Sequence, residues 1–163
     1  MAAKIDSAHH IASHVTVERQ VSATPERIFA VLTDAVMLPA WVIGVTHLQR
    51  ADPDWPQVGT RIERALGAWP LTISAITVSE GYEPLQLLRL RRRVPRWPDF
   101  LAEVAVLPTA DGSRVRIVAA SARRAVPGVD TVLADLRRRR VDRSLARLAD
   151  IAESRSRIEF GSH

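Results

Sequence analysis

The feature that most constrains the fold of this chain is an amphipathic segment near its C-terminal end. Between residues 130 and 154, apolar side chains recur at steps of three and four residues, beginning at Val132 and ending at Ala152. This spacing places them on one face of an α-helix. Such a helix of roughly 24 residues would be about 36 Å long. Its apolar face has to be buried against a second layer of structure.

The preceding residues supply that layer, because they show the pattern of β-strands. His14–Val21 alternates apolar and polar residues, the period of a half-buried strand. Turn signals separate six further strand segments, and Asp111 followed by Gly112 is the clearest hairpin signal. The predicted segments are 43–51, 58–67, 70–80, 84–93, 99–107 and 113–122. Together they predict an antiparallel sheet of six or seven strands, covered by the C-terminal helix in an α+β fold.

Two short helices are predicted directly after the first strand. Thr24 is a suitable N-cap, Pro25 suits the first helical position, and Glu26 favours the positive end of the helix dipole. A second helical turn passes through Met37 and Leu38.

The length of 163 residues predicts one domain at 14–154, between a flexible leader at 1–13 and a flexible tail at 155–163. The final Gly-Ser-His of that tail resembles a remnant added for expression. There is no cysteine, and no apolar run is long enough to span a membrane. We therefore expect a cytoplasmic protein.

The basic charge does not by itself indicate nucleic-acid binding. The net charge is +5, but Lys4 is the only lysine among 23 basic residues. So strong a preference for arginine is typical of a GC-rich, bacterial-like coding bias. Aromatic residues make up 5% of the chain and do not alternate with the arginines as stacking platforms would. We expect no specific nucleic-acid partner.

Four segments, in this order, resemble the START-like, polyketide cyclase/dehydrase superfamily (SRPBCC). They are VSATPERIFAVLTDAVMLPAW at 21–41, WPQVG at 55–59, DGSRVRI at 111–117 and RVDRSLARLADIAE at 140–153. The resemblance implies a helix-grip fold, in which a curved sheet wraps around the terminal helix and leaves a cavity between them. Members bind lipids, sterols or polyketides, and some cyclise or dehydrate polyketides. Ser113 and Val141 depart from the common threonine and asparagine. The superfamily shares no single catalytic residue set, so no catalytic residue is carried over.

Arginines within the strands are the most informative candidates for a binding site. Alternation places Arg92 on the same face as Leu88 and Leu90, and places Arg64 on the same face as Ile62. A buried arginine is costly unless a carboxylate from the protein or from a ligand pairs with it. Alternatively, both arginines lie in water at the cavity mouth, or a bulge reverses the register. The candidate ligand-binding residues are Ile62, Arg64, Trp69, Ile73, Leu88, Leu90, Arg92, Trp97, Phe100, Val104, Leu136 and Val141.

Other candidates have simpler interpretations. Trp41 is interpreted as a structural plug, whereas Trp69 and Trp97 either rim a pocket or cap the core. His47 is interpreted as a surface residue rather than a general base. The histidines of the leader do not predict a metal site, and we expect no metal and no cofactor. The run Arg137–Arg140 is interpreted mainly as a solvated face, with weak contact to an anionic membrane as the alternative.

Three functions remain open from the sequence. The favoured one is the binding or carriage of a hydrophobic small molecule, lipid or polyketide-like, between the sheet and the C-terminal helix. The second is a polyketide cyclase/dehydrase-type enzyme that uses the same cavity. The third is a regulatory or interaction protein without a ligand. The oligomeric state, monomer or homodimer, is left open.

Overall fold

The structure is a computed structural model that describes residues 14–68, 70–122 and 128–160, with the side chains of the last segment described up to residue 154. The predicted leader, Trp69 and the last three residues lie outside this range. In chain order the elements are β1 (His14–Val21), α1 (Pro25–Leu32), a 3₁₀ turn (Ala35–Met37), α2 (Leu38–Trp41), β2 (Val45–Ala51), β3 (Arg61–Ala68), β4 (Leu71–Glu83), β5 (Leu87–Arg93), β6 (Phe100–Thr109), β7 (Gly112–Ser121) and α3 (Val129–Phe160).

The seven strands form one antiparallel sheet in the order β1-β7-β6-β5-β4-β3-β2. The predicted α+β helix-grip architecture, with two short helices after the first strand, is therefore confirmed. All seven predicted strands are present, and β1 has the predicted boundaries. β4 extends to Glu83, beyond the predicted end at residue 80, and so includes Tyr82. The ring of Tyr82 contacts that of Phe29 in α1, with 6.5 Å between their centroids.

The β6–β7 hairpin forms where Asp111 and Gly112 predicted it. Gly112 has a φ of +136°, a conformation that side-chain-bearing residues rarely adopt. A Cβ atom at this position would also lie 2.2 Å from the carbonyl oxygen of Val21. The next residue, Ser113, is buried, and its hydroxyl donates a hydrogen bond to the carbonyl of Ala23 (2.8 Å). The hairpin is thereby tied to the start of α1.

Thr24 begins α1 as predicted, but its side chain makes no capping hydrogen bond to the backbone. The helix instead gains its stability from burial of one face, which carries Ile28, Phe29, Val31 and Leu32.

The long helix α3 differs from its prediction at both ends. It has 32 residues, which corresponds to about 48 Å, and it includes 155–160, which the sequence analysis assigned to the tail. Its C-terminal half is buried in the core through Leu145, Leu148 and Ala152. In contrast, Val132 and Leu136 are 62% and 54% exposed. The expectation that the whole apolar stripe is buried is therefore wrong for the first turns.

The position of the neighbouring elements explains this difference. α3 contacts mainly β1, α1 and α2. Just before α1, the backbone N–H of Ser22 donates a hydrogen bond to Glu153 in the C-terminal half of α3 (2.9 Å). The hydroxyl of Ser144 accepts a hydrogen bond from the backbone N–H of Ile43, directly after α2 (3.0 Å). The periodicity of the sequence identifies an apolar face, but it does not show where along the helix a partner ends.

Candidate functional site

The concave face of the sheet carries polar and charged residues at the centre of β3, β4 and β5. Cross-strand partners share a face of the sheet. Thr77 on β4 pairs with Ile62 on β3 and with Arg92 on β5. Arg92 in turn pairs with Phe100 on β6. Arg64 lies two residues beyond Ile62 and therefore points to the same side. The structure thus brings together the two arginines that the sequence analysis singled out.

Arg64 is a buried cation. Only 6% of Arg64 is exposed, and its Nε atom has no hydrogen-bond partner among the described residues. Within the described part of the chain, no carboxylate pairs with it. Burial, and secondly the positive charge of Arg92, lowers the pKa of Arg64 to about 9. This value is still well above neutrality, so Arg64 is charged at pH 7.

Arg92 is half-buried on the same face. Its Cζ atom lies 4.5 Å from the centre of the Phe100 ring, a cation–π contact. Its Nε is buried and has no hydrogen-bond partner. Burial, and secondly the charge of Arg140 on α3, lowers the pKa of Arg92 to about 10. Arg92 therefore also remains charged at pH 7.

The opposite face of β5 provides an internal comparison. The three arginines that point outward from this strand all have carboxylate partners. Arg89 contacts Glu103 (2.7 Å), Arg91 contacts Glu80 and Asp99 (3.2 Å to the latter), and Arg93 lies 3.7 Å from Asp99. Among the described residues, arginine on this strand is thus neutralised where it faces outward and has no counter-ion where it faces the concave side.

Thr77 adds a third polar group to the concave face. It is fully buried, and its hydroxyl has no hydrogen-bond partner. The indole N–H groups of Trp41 and Trp55 are likewise buried and unpaired. Buried polar groups are usually paired in folded proteins. Every unpaired buried side-chain atom among the described residues can donate a hydrogen bond, and what is missing is acceptors.

Arg140 lies on α3 across from the concave face. One side of α3 faces β1, because Arg138 donates to the carbonyl of Thr16 (3.2 Å) and Asp142 lies 3.7 Å from Arg19. Ser144, which is 200° around the helix from Asp142, faces the other way. Arg140 is one turn before Ser144 on that same side, and Leu136 is one further turn before it. These two side chains are exposed.

The remaining predicted ligand-binding residues fall into three groups. Ile62, Leu88, Val104 and Val141 are buried in the core, and Leu90 and Phe100 are partly buried against it. Ile73, Trp97 and Leu136 are exposed. Trp69 lies outside the described residues. Outside the candidate set, Trp41 is buried as expected for a plug, and His47 is exposed on β2.

Sequence reasoning missed Thr77 and did not single out Arg140 as a neighbour of Arg92. The position of Thr77 could have been predicted, because alternation along β4 places Ile73, Ala75, Thr77 and Ser79 on one face of the strand. The proximity of Arg140 to Arg92 could not have been predicted, since it depends on where α3 crosses the sheet.

A surface groove of about 390 Å³ lies elsewhere, on the outer face of the sheet. Glu63, Ile76 and Arg93, which line it, are cross-strand partners on the face opposite Arg64 and Arg92. Its only basic residue, Arg93, already pairs with Asp99. The groove contains none of the predicted cavity residues, and we assign the candidate site to the concave face because the unpaired cations lie there.

A family model described as "Polyketide cyclase / dehydrase and lipid transport" matches residues 12–153, nearly the whole described domain. The chain belongs to this family. The resemblance drawn from the sequence is thereby confirmed. No helix among the described residues is both long and apolar enough to cross a membrane.

Solved structures show the same fold at low sequence identity. A protein of unknown function from Staphylococcus aureus superimposes with a TM-score of 0.73 at 12% identity, covering 89% of this chain and 96% of that one. A protein from Chromobacterium violaceum superimposes with a TM-score of 0.65 at 21% identity, covering 86% of this chain and 97% of that one. The Zhui aromatase/cyclase from a Streptomyces species superimposes with a TM-score of 0.70 at 14% identity, covering 88% of this chain and 95% of that one. No curated protein matches the sequence significantly.

Proposed function

We propose that the concave face of β3, β4 and β5 binds a hydrophobic small molecule that carries an acidic or carbonyl oxygen. The observation that carries this proposal is the pair of unneutralised guanidinium groups of Arg64 and Arg92. An oxygen-bearing ligand group would supply the acceptors that these side chains lack. Membership of a family described by polyketide cyclisation and lipid transport supports an apolar ligand.

The energetics favour one ligand group between the two arginines. Removing a guanidinium group from water costs several kcal/mol unless a counter-charge and hydrogen bonds offset the cost. The charge of Arg92 lowers the pKa of Arg64, so the two groups are close enough to repel each other. An anion between them would relieve both the desolvation and the repulsion. Thr77, directly beside Arg92 in the sheet, would donate a further hydrogen bond.

The apolar part of the ligand would lie against the partly buried Leu90 and Phe100. Apolar contact contributes about 25 cal/mol per Å² removed from water, before the costs of association. A few polar groups are then enough to fix orientation in such a site. The ligand would thus bind with its oxygen-bearing end at Arg64 and Arg92.

Dodecanoic acid and its methyl ester test this proposal, since they share a chain and differ in charge. We expect Arg92→Gln and Arg64→Gln each to weaken binding of the acid by about 10- to 100-fold in calorimetric titrations, because a charged hydrogen bond is lost. Binding of the ester should change by less than about threefold. Arg61→Gln is the matched control, because Arg61 is exposed on the outer side of β3.

Two results would contradict the proposal. Equal losses for acid and ester would show that the substitutions disturb packing rather than remove an anchor. No binding of either ligand to the wild-type protein would favour the third function, a regulatory or interaction protein without a ligand.

A cyclase or dehydrase is the second candidate function. Negative charge develops on an enolate oxygen when a polyketide cyclises. Buried, preorganised cations stabilise such an oxyanion as it forms. Incubation with a synthetic poly-β-ketone thioester would distinguish the two functions. Accelerated formation of a cyclised product, lost in Arg64→Gln and kept in Arg61→Gln, would support the enzyme. Binding without any change in product would support the carrier.

A further inference from the structure

The antiparallel topology gathers three segments at one end of the sheet. β3, β5 and β7 run in the same direction, so they finish at the same end. The β3–β4 hairpin and the β5–β6 connection therefore lie there, and α3 starts after the end of β7. We call this the basic end, defined by residues 66–68 with 70–73, 93–99 and 129–140.

The basic end carries most of the exposed apolar side chains. Twelve large apolar residues of the described chain are exposed, and seven of them belong to these three segments. Leu71 is 84% exposed, Trp97 67% and Val132 62%; the others are Ile73, Val129, Leu133 and Leu136. At the opposite end, Val58 and Leu85 lie in two separate connections, and Leu107 lies near the end of β6. Exposed apolar side chains concentrated at one end of a sheet are characteristic of an interaction site.

The same three segments are positively charged. They contain Arg93, Arg96 and Arg137–Arg140, six arginines in all, against the three aspartates Asp99, Asp130 and Asp135. Two of the aspartates are already paired, Asp135 with Arg139 (3.0 Å) and Asp99 with Arg91 and Arg93. The net charge of the described segments is thus six minus three, or +3.

We propose that the basic end docks on anionic lipid bilayers, with Leu71, Trp97 and Val132 entering the interfacial region and the arginines binding the headgroups. Apolar side chains that insert and cations that meet acidic headgroups are the two contributions that hold peripheral proteins on such surfaces. Tryptophan beside arginine, as in Arg96-Trp97, suits the boundary between headgroups and acyl chains.

Charge complementarity decides between this occupant and a second copy of the chain. A symmetric dimer through this face would bring two +3 surfaces together, and like charges in contact oppose association. A bilayer that contains acidic lipid offers both the apolar layer and the opposite charge. The proposal does not depend on the ligand bound by Arg64 and Arg92.

Co-sedimentation of the full chain with vesicles tests the proposal. Vesicles with about 30 mol % phosphatidylglycerol in phosphatidylcholine should bind the protein, vesicles of phosphatidylcholine alone should bind it weakly, and salt should weaken the binding. Leu71→Asp and Val132→Asp should each lower the partition coefficient by at least about fivefold. Leu107→Asp is the matched control, because Leu107 is 60% exposed at the other end and the change in net charge is identical. Its partition should stay within about twofold of wild type.

Three outcomes would overturn the proposal. They are no binding of the wild-type protein to the anionic vesicles, equal losses in all three variants, and a dimer in analytical ultracentrifugation that Leu71→Asp dissociates. Titration of each variant with dodecanoic acid keeps this proposal separate from the proposed function. Loss of vesicle binding with unchanged acid binding would locate the effect at the basic end alone.

Discussion

At the scale of the residue, Arg64 is the feature that links stability to binding. A buried guanidinium group without a counter-ion is a destabilising feature of the ligand-free protein. On the outer face, the equivalent cost is offset by a nearby carboxylate, as between Arg89 and the buried Glu103. Arg64 keeps its charge in a setting where an apolar side chain would be more favourable, which is the arrangement expected of a residue retained for function.

Arg64→Met should therefore stabilise the ligand-free protein. The substitution removes an uncompensated charge and keeps the volume of the side chain, so we expect a gain of about 1–3 kcal/mol in the free energy of unfolding. Urea denaturation measures this change. Arg61→Met, which alters an exposed arginine on the same strand, should change it by less than about 0.5 kcal/mol. A loss of stability in Arg64→Met would show that Arg64 makes favourable contacts in the free protein.

The lowered pKa of Arg64 also predicts a pH dependence. The pKa of this group is about 9 in the folded protein and keeps its higher, ordinary value in the unfolded chain, so above pH 9 the unfolded state binds more protons. The free energy of unfolding contributed by this group therefore rises with pH above about 9. The difference in stability between Arg64→Met and wild type should be constant from about pH 6 to 8 and become smaller towards pH 10. A difference that grows with pH would contradict the assignment.

At the scale of the element, α3 has two parts with different roles. Its C-terminal half completes the core against β1, α1 and α2. Its first turns carry exposed apolar residues and contribute to the basic end. The change occurs near Val141, the first residue of the helix that is buried in the core.

Leu145→Ala tests this division of the helix. Leu145 is fully buried, and its truncation should cost about 2–5 kcal/mol through lost transfer free energy and the cavity that remains. Leu136→Ala, at a position 54% exposed on the same helix, should cost less than about 1 kcal/mol. Comparable losses at both positions in thermal or urea unfolding would show that the first turns are also buried in solution.

At the scale of the whole molecule, arginine has several different uses. Some arginines pair with acids on the outer face, Arg64 is buried and Arg92 half-buried on the concave face, and others lie at the basic end. A total charge of +5 therefore does not describe one phosphate-binding surface.

Binding to DNA should reflect this distribution. We expect weak, non-specific binding that is abolished by moderate salt, because it would rest on counter-ion release alone. Fluorescence anisotropy with two unrelated duplexes, at about 50 mM and 200 mM salt, measures this dependence. Selective binding of one duplex that persists at the higher salt concentration would contradict our view of the charge.

The sequence by itself determined the order of elements and the faces of the strands. Strand alternation and turn residues are local signals, so β1, the Asp111-Gly112 hairpin and the shared face of Leu88, Leu90 and Arg92 could all be predicted. Only the tertiary structure decided which charges have partners. Whether Arg92 meets a carboxylate depends on residues brought close by the register of other strands, and its nearness to Arg140 depends on the path of α3. The exposure of the first turns of α3 was likewise decided by the tertiary structure. Periodicity identifies the apolar face of a helix, but burial of that face depends on which elements lie opposite it.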